Sequence, residues 1–275
     1  MVHAHPVTEE CACCQDRTTV NDGKVVIDAN RDGRPIHFRE LNCAIRKVLA
    51  SGCRHLVLKN ITGQRYIAST ADNKEMYIEI HGTPGNNLGA FMNGPTIEVF
   101  GNAQDMTGNT MNSGKIVVHG NAWDVTGLSA RGGKMFFQGN SGYRVGIHMK
   151  EYGETRPSMV IGGTVKDYLG EYMAGGTVLV LGLGHEDLPS PVGINIGAGI
   201  HGGRVFVRGK VAAEQLGPGA IISELTGEDR KELESLIVEF ESYFKVNVER
   251  DWSRFTKIVP ASSRPFSGKY DKTNI

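Results

Sequence analysis

The densest group of potential metal ligands lies near the start of the chain, in HAHPVTEECACC. Cys11, Cys13 and Cys14 follow two histidines there, and cysteine thiolates bind soft metal ions. Their spacing is not that of a zinc or iron–sulfur site, and the segment precedes every predicted helix or strand. We therefore predict that residues 1–23 form a flexible segment that carries cysteine and histidine, and metal binding by these cysteines is the lesser alternative.

A second group of ionisable and aromatic residues lies in GYRVGIHMKEYGETRPS and GEYMAGG. Its members are Tyr143, Arg144, His148, Lys150, Glu151, Glu171 and Tyr172. No nucleophile accompanies them, so the group does not predict catalysis, and we assign no catalytic, cofactor-binding or metal-binding residue here. Their density favours a surface on which a partner docks, and the alternative is a set of ordinary solvent-facing turns.

Three aspartates recur at equivalent positions of an internal repeat, namely Asp105, Asp124 and Asp167. Stacked carboxylates could bind calcium. The glycine–aspartate nonapeptide of calcium-binding β-helices is absent, however. A solvated turn is the favoured interpretation of these positions.

The elements that position these groups follow from that repeat. Short apolar strands followed by glycine start at residues 78, 97, 116, 135, 159, 178 and 205, with separations of 19, 19, 19, 24, 19 and 27 residues. Glycines also recur at the fifth and twelfth positions of the repeat, which predicts sharp corners. Short strands between regular corners indicate an all-β-dominated fold, a single-stranded right-handed parallel β-helix of about seven coils.

Stacked coils place equivalent residues above one another. Met92, Met111, Met149 and Met173 share one position, with Ala130 in the remaining coil, and we predict that they fill the interior. Asn102, Asn121 and Asn140 share another, where side-chain amides are expected to hydrogen-bond to one another along the axis.

The second residue of each strand should point outward, because side chains alternate along a strand. This row is apolar from Val117 onward, and such a stripe needs a cover. The amphipathic segment 226–244, which begins with a possible capping box at Thr226 and Asp229, is the favoured cover. A partner subunit is the alternative.

The chain divides into four predicted regions. Residues 1–23 form the flexible segment, 24–72 a small α/β N-terminal cap, 73–212 the β-helix, and 213–275 a C-terminal helix followed by an extended tail. An exposed end coil presents unpaired backbone groups, which is why both ends are expected to be capped.

Charge and composition exclude several classes of protein. Thirty basic and thirty acidic residues give a net charge of zero, so no long-range field attracts nucleic acid or an anionic membrane. The sequence has no run of about 18 apolar residues and no secretory signal at its start. Five cysteines without disulfide-framework spacing suit a reducing compartment. We expect a cytoplasmic protein.

Three stretches of the repeat resemble one known family. GNTMNSGKIVVHGNAWDV, GYRVGIHMKEY and IGGTVKDYLGEYMAGGTVLVLGL are similar to the GXGXG domain of glutamate synthase, the C-terminal β-helical domain of its large (alpha) subunit. NITGQRYIAS and FTKIVPASSRP extend the resemblance to most of the chain. The resemblance implies the free-standing form of this domain, found where the large subunit is split into several chains.

By this resemblance, the complete enzyme hydrolyses glutamine, passes ammonia to 2-oxoglutarate and reduces the resulting imine at FMN with electrons from an iron–sulfur cluster. Class II amidotransferases use an N-terminal cysteine, whereas this sequence starts Met1-Val2. The expected partners are therefore a class II glutamine amidotransferase subunit and an FMN/iron–sulfur glutamate synthase subunit. The present chain would be a structural subunit with no cofactor of its own.

Two alternatives stay open at this point. The chain could serve a related oxidoreductase, such as formylmethanofuran dehydrogenase, one subunit of which has a related β-helix, or methylamine–glutamate N-methyltransferase. It could also be a stand-alone β-helix that binds a ligand or acts as an enzyme. That function would need a groove with paired carboxylates, for which the repeated aspartates are the candidates.

Overall fold

The computed structural model describes residues 18–21 and 24–262. The described elements are β1 (Thr18–Asn21), β2 (Lys24–Asp28), β3 (Asn30–Arg31), β4 (Arg34–Pro35), α1 (Phe38–Ala50), β5 (His55–Thr62), β6 (Tyr77–Thr83), β7 (Asn93–Phe100), β8 (Ser113–Val118), β9 (Lys134–Phe137), β10 (Ser158–Ile161), β11 (Ala174–Val180), β12 (Gly202–Arg208), β13 (Ala220–Ser223), α2 (Gly227–Phe244) and β14 (Phe255–Pro260). No helix within this part of the chain has the length and apolar character needed to cross a membrane.

The predicted strand starts form one continuous parallel ladder. Residues paired in sequence from β6 to β12 are Ile78, Ile97, Ile116, Met135, Met159, Val178 and Val205. These seven strands enclose six complete turns of chain, which confirms the predicted parallel β-helix. Residues at equivalent positions of the repeat pair with one another, so the spacing of the repeat sets the register between adjacent strands.

The ladder continues beyond the repeat at both ends. β2 and β5 pair in parallel with each other, and β5 pairs in parallel with β6, so the sheet extends into residues 24–72. β1 pairs antiparallel with β2 at one end, and β14 and β13 add two antiparallel strands beyond β12 at the other. The outermost parallel strands thereby have their backbone groups paired.

The interior is a stack of apolar side chains from successive coils. Met92, Met111, Ala130, Met149 and Met173 are all fully buried, so the methionine ladder is core, as predicted. The twelfth-position glycine makes room for this stack. Gly127 has a φ of +73°, and a Cβ added there would lie 2.1 Å from the Cε atom of Met159.

The outer apolar row is covered by the chain's own C-terminal helix, as favoured. Val117, Phe136, Val160, Leu179 and Phe206 are fully buried, and they pack with the apolar face of α2, which comprises Leu233, Leu236, Ile237, Phe240 and Phe244. The predicted capping box between Thr226 and Asp229 starts this helix. Glu239 of α2 also pairs with Lys115 at 2.5 Å and Lys134 at 2.6 Å on the sheet.

The asparagine ladder exists, but its hydrogen bonds differ from the prediction. Each side-chain Oδ1 accepts the backbone N–H of the next coil instead of a side-chain amide. The distances are 2.8 Å from Asn121 N to Asn102 Oδ1, and 2.8 Å from Asn140 N to Asn121 Oδ1. The glycine that precedes the donor permits this approach, since a Cβ at Gly139 would lie 2.3 Å from Asn121 Oδ1.

Candidate functional site

The corner that carries the second predicted group has a left-handed backbone, as the equivalent corners of the other coils do. Arg144 and His148 adopt φ values of +58° and +56°, and Tyr168 and Tyr172 in the next coil adopt +64° and +50°. A left-handed conformation costs a residue other than glycine about 1–3 kcal/mol and persists only where the surrounding structure imposes it. Here the coils impose it, because the N–H groups of Arg144 and His148 each donate to the next coil at 3.0 Å.

This backbone brings four of the seven predicted residues together across two coils. Arg144 forms an ion pair with Glu171, whose side chain is only 9 % exposed, and its guanidinium lies 4.7 Å from the ring centre of Tyr168. The rings of His148 and Tyr172 stack with centres 5.4 Å apart and planes 12° apart. A charged pair and a stacked aromatic pair are therefore fixed at one surface.

The other three predicted residues make different contacts. Lys166 places its ammonium 4.9 Å from the ring centre of Tyr143. The Glu151 carboxylate accepts the N–H of Gly176 at 3.0 Å, and Lys150 is exposed beside it. The five extra residues of this 24-residue coil form a small hairpin closed by a bridge between Tyr152 and Thr155. We define the corner patch as the seven predicted residues.

The repeated aspartates hold the coils together. Asp105 accepts the N–H of Asp124 at 3.2 Å, Asp124 accepts that of Tyr143 at 2.9 Å, and Asp167 accepts that of Ile194 at 3.0 Å. These residues lie in partly exposed turns, as favoured, and their carboxylates also accept hydrogen bonds from the backbone of the next coil. Within residues 18–21 and 24–262, no three side chains of His, Cys, Asp or Glu are grouped as metal ligands.

The predicted cysteine group lies outside the described residues. Cys11, Cys13 and Cys14 precede β1, and their possible metal binding stays a prediction. The described cysteines are Cys43 and Cys53, both free and half-buried.

A cluster of ionisable residues that the sequence did not predict lies on the outer face, beyond the end of α2. Glu79 in β6 is its first centre. The Nε2 atoms of His81 and His55 lie 2.5 Å and 3.3 Å from its two carboxylate oxygens. Burial alone would raise the pKa of Glu79, but the hydrogen bonds with His81 and His55 outweigh it and hold that pKa below its ordinary value.

Glu98 in β7 is the second centre. Its carboxylate lies 2.7 Å from Nε2 of His119 and accepts the hydroxyl of Tyr77. Burial and the Glu98 carboxylate both raise the pKa of Tyr77 above its ordinary value. Phe100 stacks on His119, with ring centres 4.7 Å apart. We call Tyr77, Glu79, Glu98, His55, His81 and His119 the glutamate–histidine cluster.

A signal for this cluster is present in the repeat. IEIHG and IEVFG carry glutamate at the second position, and the fourth position carries His81, Phe100 and His119 in successive coils. The second and fourth residues of a strand share a face. His55 lies in β5, which has no counterpart in the repeat, so only the structure places it beside Glu79.

Comparison with known proteins gives a family and a relative. The model of the GXGXG motif family matches residues 40–261. An uncharacterized protein of Methanocaldococcus jannaschii is 49 % identical over 257 residues, which cover 90 % of the present chain and 96 % of the relative.

Proposed function

We infer the function of this chain from its family: it belongs to the GXGXG motif family, the family of the C-terminal domain of the glutamate synthase large subunit. We propose that it is a structural, non-catalytic subunit of a glutamate-synthase-type complex in the cytoplasm. Such a complex converts glutamine and 2-oxoglutarate to glutamate. In this proposal the β-helix holds the catalytic chains in a fixed relation to one another.

The proposed partners are a class II glutamine amidotransferase subunit and an FMN/iron–sulfur synthase subunit. The FMN and the clusters belong to the second of these. The β-helix would keep the two active sites in register, so that ammonia passes between them without escaping to water.

The observation that carries the docking role is the rigid corner patch. Tyr143 and Tyr172 are 42 % and 49 % exposed although the coil stacking and their neighbours fix them in place. Exposed aromatic and arginine side chains are enriched where proteins bind one another. Side chains that are already ordered lose little entropy on binding.

The test is affinity purification of the tagged full-length chain from its native host. We expect an amidotransferase chain and an FMN/iron–sulfur chain in constant ratio, identified by mass spectrometry and by the flavin absorbance of the complex. Recovery of molybdopterin-containing chains would instead support the formylmethanofuran dehydrogenase alternative. A flavin spectrum of the chain purified alone would contradict the proposed division of labour.

A pair of charge reversals tests the docking surface. Lys150 belongs to the corner patch, and Lys231 lies on the exposed side of α2. The variants Lys150→Glu and Lys231→Glu change the net charge by the same amount. We expect Lys150→Glu to weaken recovery of the partner chains about tenfold, because like charges at an interface oppose association. Lys231→Glu should leave recovery unchanged. Equal recovery with both variants would remove the corner patch from the interface.

A further inference from the structure

The longest coil of the repeat encloses a cavity that the proposed function does not use. The stretch from Val178 to Val205 spans 27 residues, eight more than the usual nineteen. Part of this coil, together with the end of β12 and the segment before β14, encloses a cavity of about 450 Å³. This volume lies within the usual range for sites that bind small molecules.

Arg208, the last residue of β12, lines this cavity and lacks a full set of hydrogen-bond partners. Its side chain is only 7 % exposed. Its Nη1 donates to the carbonyl of Leu181 at 3.3 Å, and its Nη2 lies 3.6 Å from the Glu249 carboxylate. Its buried Nε has no hydrogen-bond partner within the described part of the chain. Guanidinium carries five N–H donors, and burying such a charge without partners is costly.

The charges around Arg208 favour an anion. Lys210, Arg254 and His185 also line the cavity. Glu186 is the one carboxylate among its lining residues. Glu249 pairs with Arg254 at 2.7 Å, but that carboxylate is 59 % exposed, so it neutralises the cations only weakly. Ser253 also lines the cavity, and its hydroxyl donates to the Asp251 carboxylate at 2.6 Å.

The wall of the cavity is rigid. The Pro191 ring packs against two glycines at the ends of β11 and β12, since a Cβ at Gly182 or Gly209 would lie 2.8 Å or 2.7 Å from it. Thr256 of β14 donates to the carbonyl of Gly209 at 2.8 Å. The backbone at the end of β12, which carries Arg208, is therefore held in place before any ligand arrives, which reduces the entropy lost on binding.

We propose that this cavity binds the oxyanion of a small molecule, a carboxylate or a phosphate, with Arg208 as its principal ligand and Lys210 and Arg254 as supporting cations. The depth of Arg208 favours a small free ligand over the side chain of a partner protein. The site is independent of the corner patch, so it stands or falls separately from the proposed docking function.

Isothermal titration calorimetry of the purified full-length chain tests this proposal, with inorganic phosphate and succinate as probes at matched ionic strength. We expect one of them to bind with a stoichiometry near one. Arg208→Lys should weaken binding about tenfold or more, because lysine cannot replace the planar donor fork of arginine. Which probe binds distinguishes a phosphate site from a carboxylate site.

Two further variants separate binding from folding. Lys210→Met removes an exposed cation from the cavity and should weaken binding less than Arg208→Lys does, with an unchanged melting temperature. Arg54→Lys changes the same residue type at a position outside the cavity, where the side chain is 74 % exposed, and should bind as the parent chain does.

Failure of both probes to bind would overturn the proposal. It would also be overturned by binding that is equal in the parent chain and in Arg208→Lys, because the anion would then lie elsewhere. A third contrary outcome is that Arg208→Lys abolishes recovery of partner chains while neither probe binds. The cavity would then receive a partner's carboxylate instead of a small molecule.

Discussion

The outer face of the β-helix has a covered part and an uncovered part, built on the same backbone. Both use the second residue of each strand, and both lie in one ladder with a constant register. From Val117 to Phe206 this residue is apolar and packs under α2. In the two preceding coils it is Glu79 or Glu98 and pairs with histidine. The repeat thus specifies the scaffold. The residue type at the second strand position determines whether α2 packs on a coil or the coil carries an ionisable cluster.

The boundary between the two parts is narrow. His119 contacts the last residue of α2, with its ring 5.1 Å from that of Phe244, and its Nε2 lies 2.7 Å from Glu98. A single side chain therefore belongs to both the apolar cover and the glutamate–histidine cluster. Changes on either side of it should have different consequences.

The largest effect is expected in the covered part. Phe240→Ala should lower the free energy of unfolding by about 3–5 kcal/mol, because a fully buried phenyl ring is replaced by a cavity. Urea denaturation followed by circular dichroism measures this loss. Val238→Ala on the exposed side of α2 is the control and should change stability by at most about 0.5 kcal/mol. Similar losses in both variants would mean that α2 does not cover the sheet.

The next effect concerns the charged anchor of the covering helix. Asp229 is 1 % exposed, caps α2, and lies 2.7 Å from the ammonium of Lys257. Asp229→Asn should cost about 3 kcal/mol, because the buried lysine loses its counter-charge. The same urea series measures it. Asp251→Asn, which alters an exposed cap, should cost much less.

This anchor also predicts a pH dependence. Burial alone would raise the pKa of Asp229, but hydrogen bonds from Lys257 and Thr226 outweigh it and keep that pKa below its ordinary value. A lowered carboxyl pKa contributes stability that is present above the unfolded value, about pH 3.9, and is lost as pH falls through the folded value. The parent chain should lose more stability than Asp229→Asn as pH falls from about 5 toward the acid limit. Parallel acid curves for the two chains would contradict the prediction.

A smaller effect is expected in the uncovered part. Glu98→Gln should cost about 1 kcal/mol, because the hydrogen bonds to the carboxylate, whose side chain is 18 % exposed, are weakened but not abolished. The same change should lower the pKa of Tyr77, which the carboxylate raises. A titration of tyrosine absorbance, with Tyr77→Phe to identify the signal, measures this shift. An unchanged Tyr77 titration would show that Glu98 does not act on the hydroxyl.

The last effect concerns association instead of stability, and it sharpens the comparison most directly. The double variant Glu79→Val, Glu98→Val extends the apolar row into the uncovered part, where α2 does not reach. We expect new binding of a hydrophobic dye and self-association in analytical ultracentrifugation, because a larger apolar patch is exposed. The control Glu79→Gln, Glu98→Gln removes the same charges without adding apolar surface. It should stay free of both effects.

Much of the fold could be predicted from the sequence, because a solenoid is specified by its repeat. The strand starts, the methionine core and the cap at Thr226 all depend on contacts at fixed separations along the chain, so a period reveals them. The resemblance to the GXGXG domain was confirmed by the family match over residues 40–261. The predicted domain boundaries and partners stay predictions.

Less of the candidate sites could be predicted, because each lies where the period breaks or ends. The corner patch adjoins the hairpin of the 24-residue coil, and the cavity at Arg208 is formed by the 27-residue coil. The pairing of His55 with Glu79 joins residues 24 positions apart in a region outside the repeat. The repeat spacing therefore does not predict which residues are in contact there.

The sequence by itself determined that the chain stacks parallel coils with an apolar interior, because alternation and period are local properties of a strand and its corners. Tertiary structure alone decided which hydrogen bonds the ladders make. The amides of Asn102 and Asn121 and the carboxylates of Asp105 and Asp124 serve the backbone of the next coil. A polar side chain can accept a hydrogen bond from the backbone of the next coil, or it can bind a ligand. The outcome depends on distances of a few ångströms between coils, and the sequence pattern does not contain those distances.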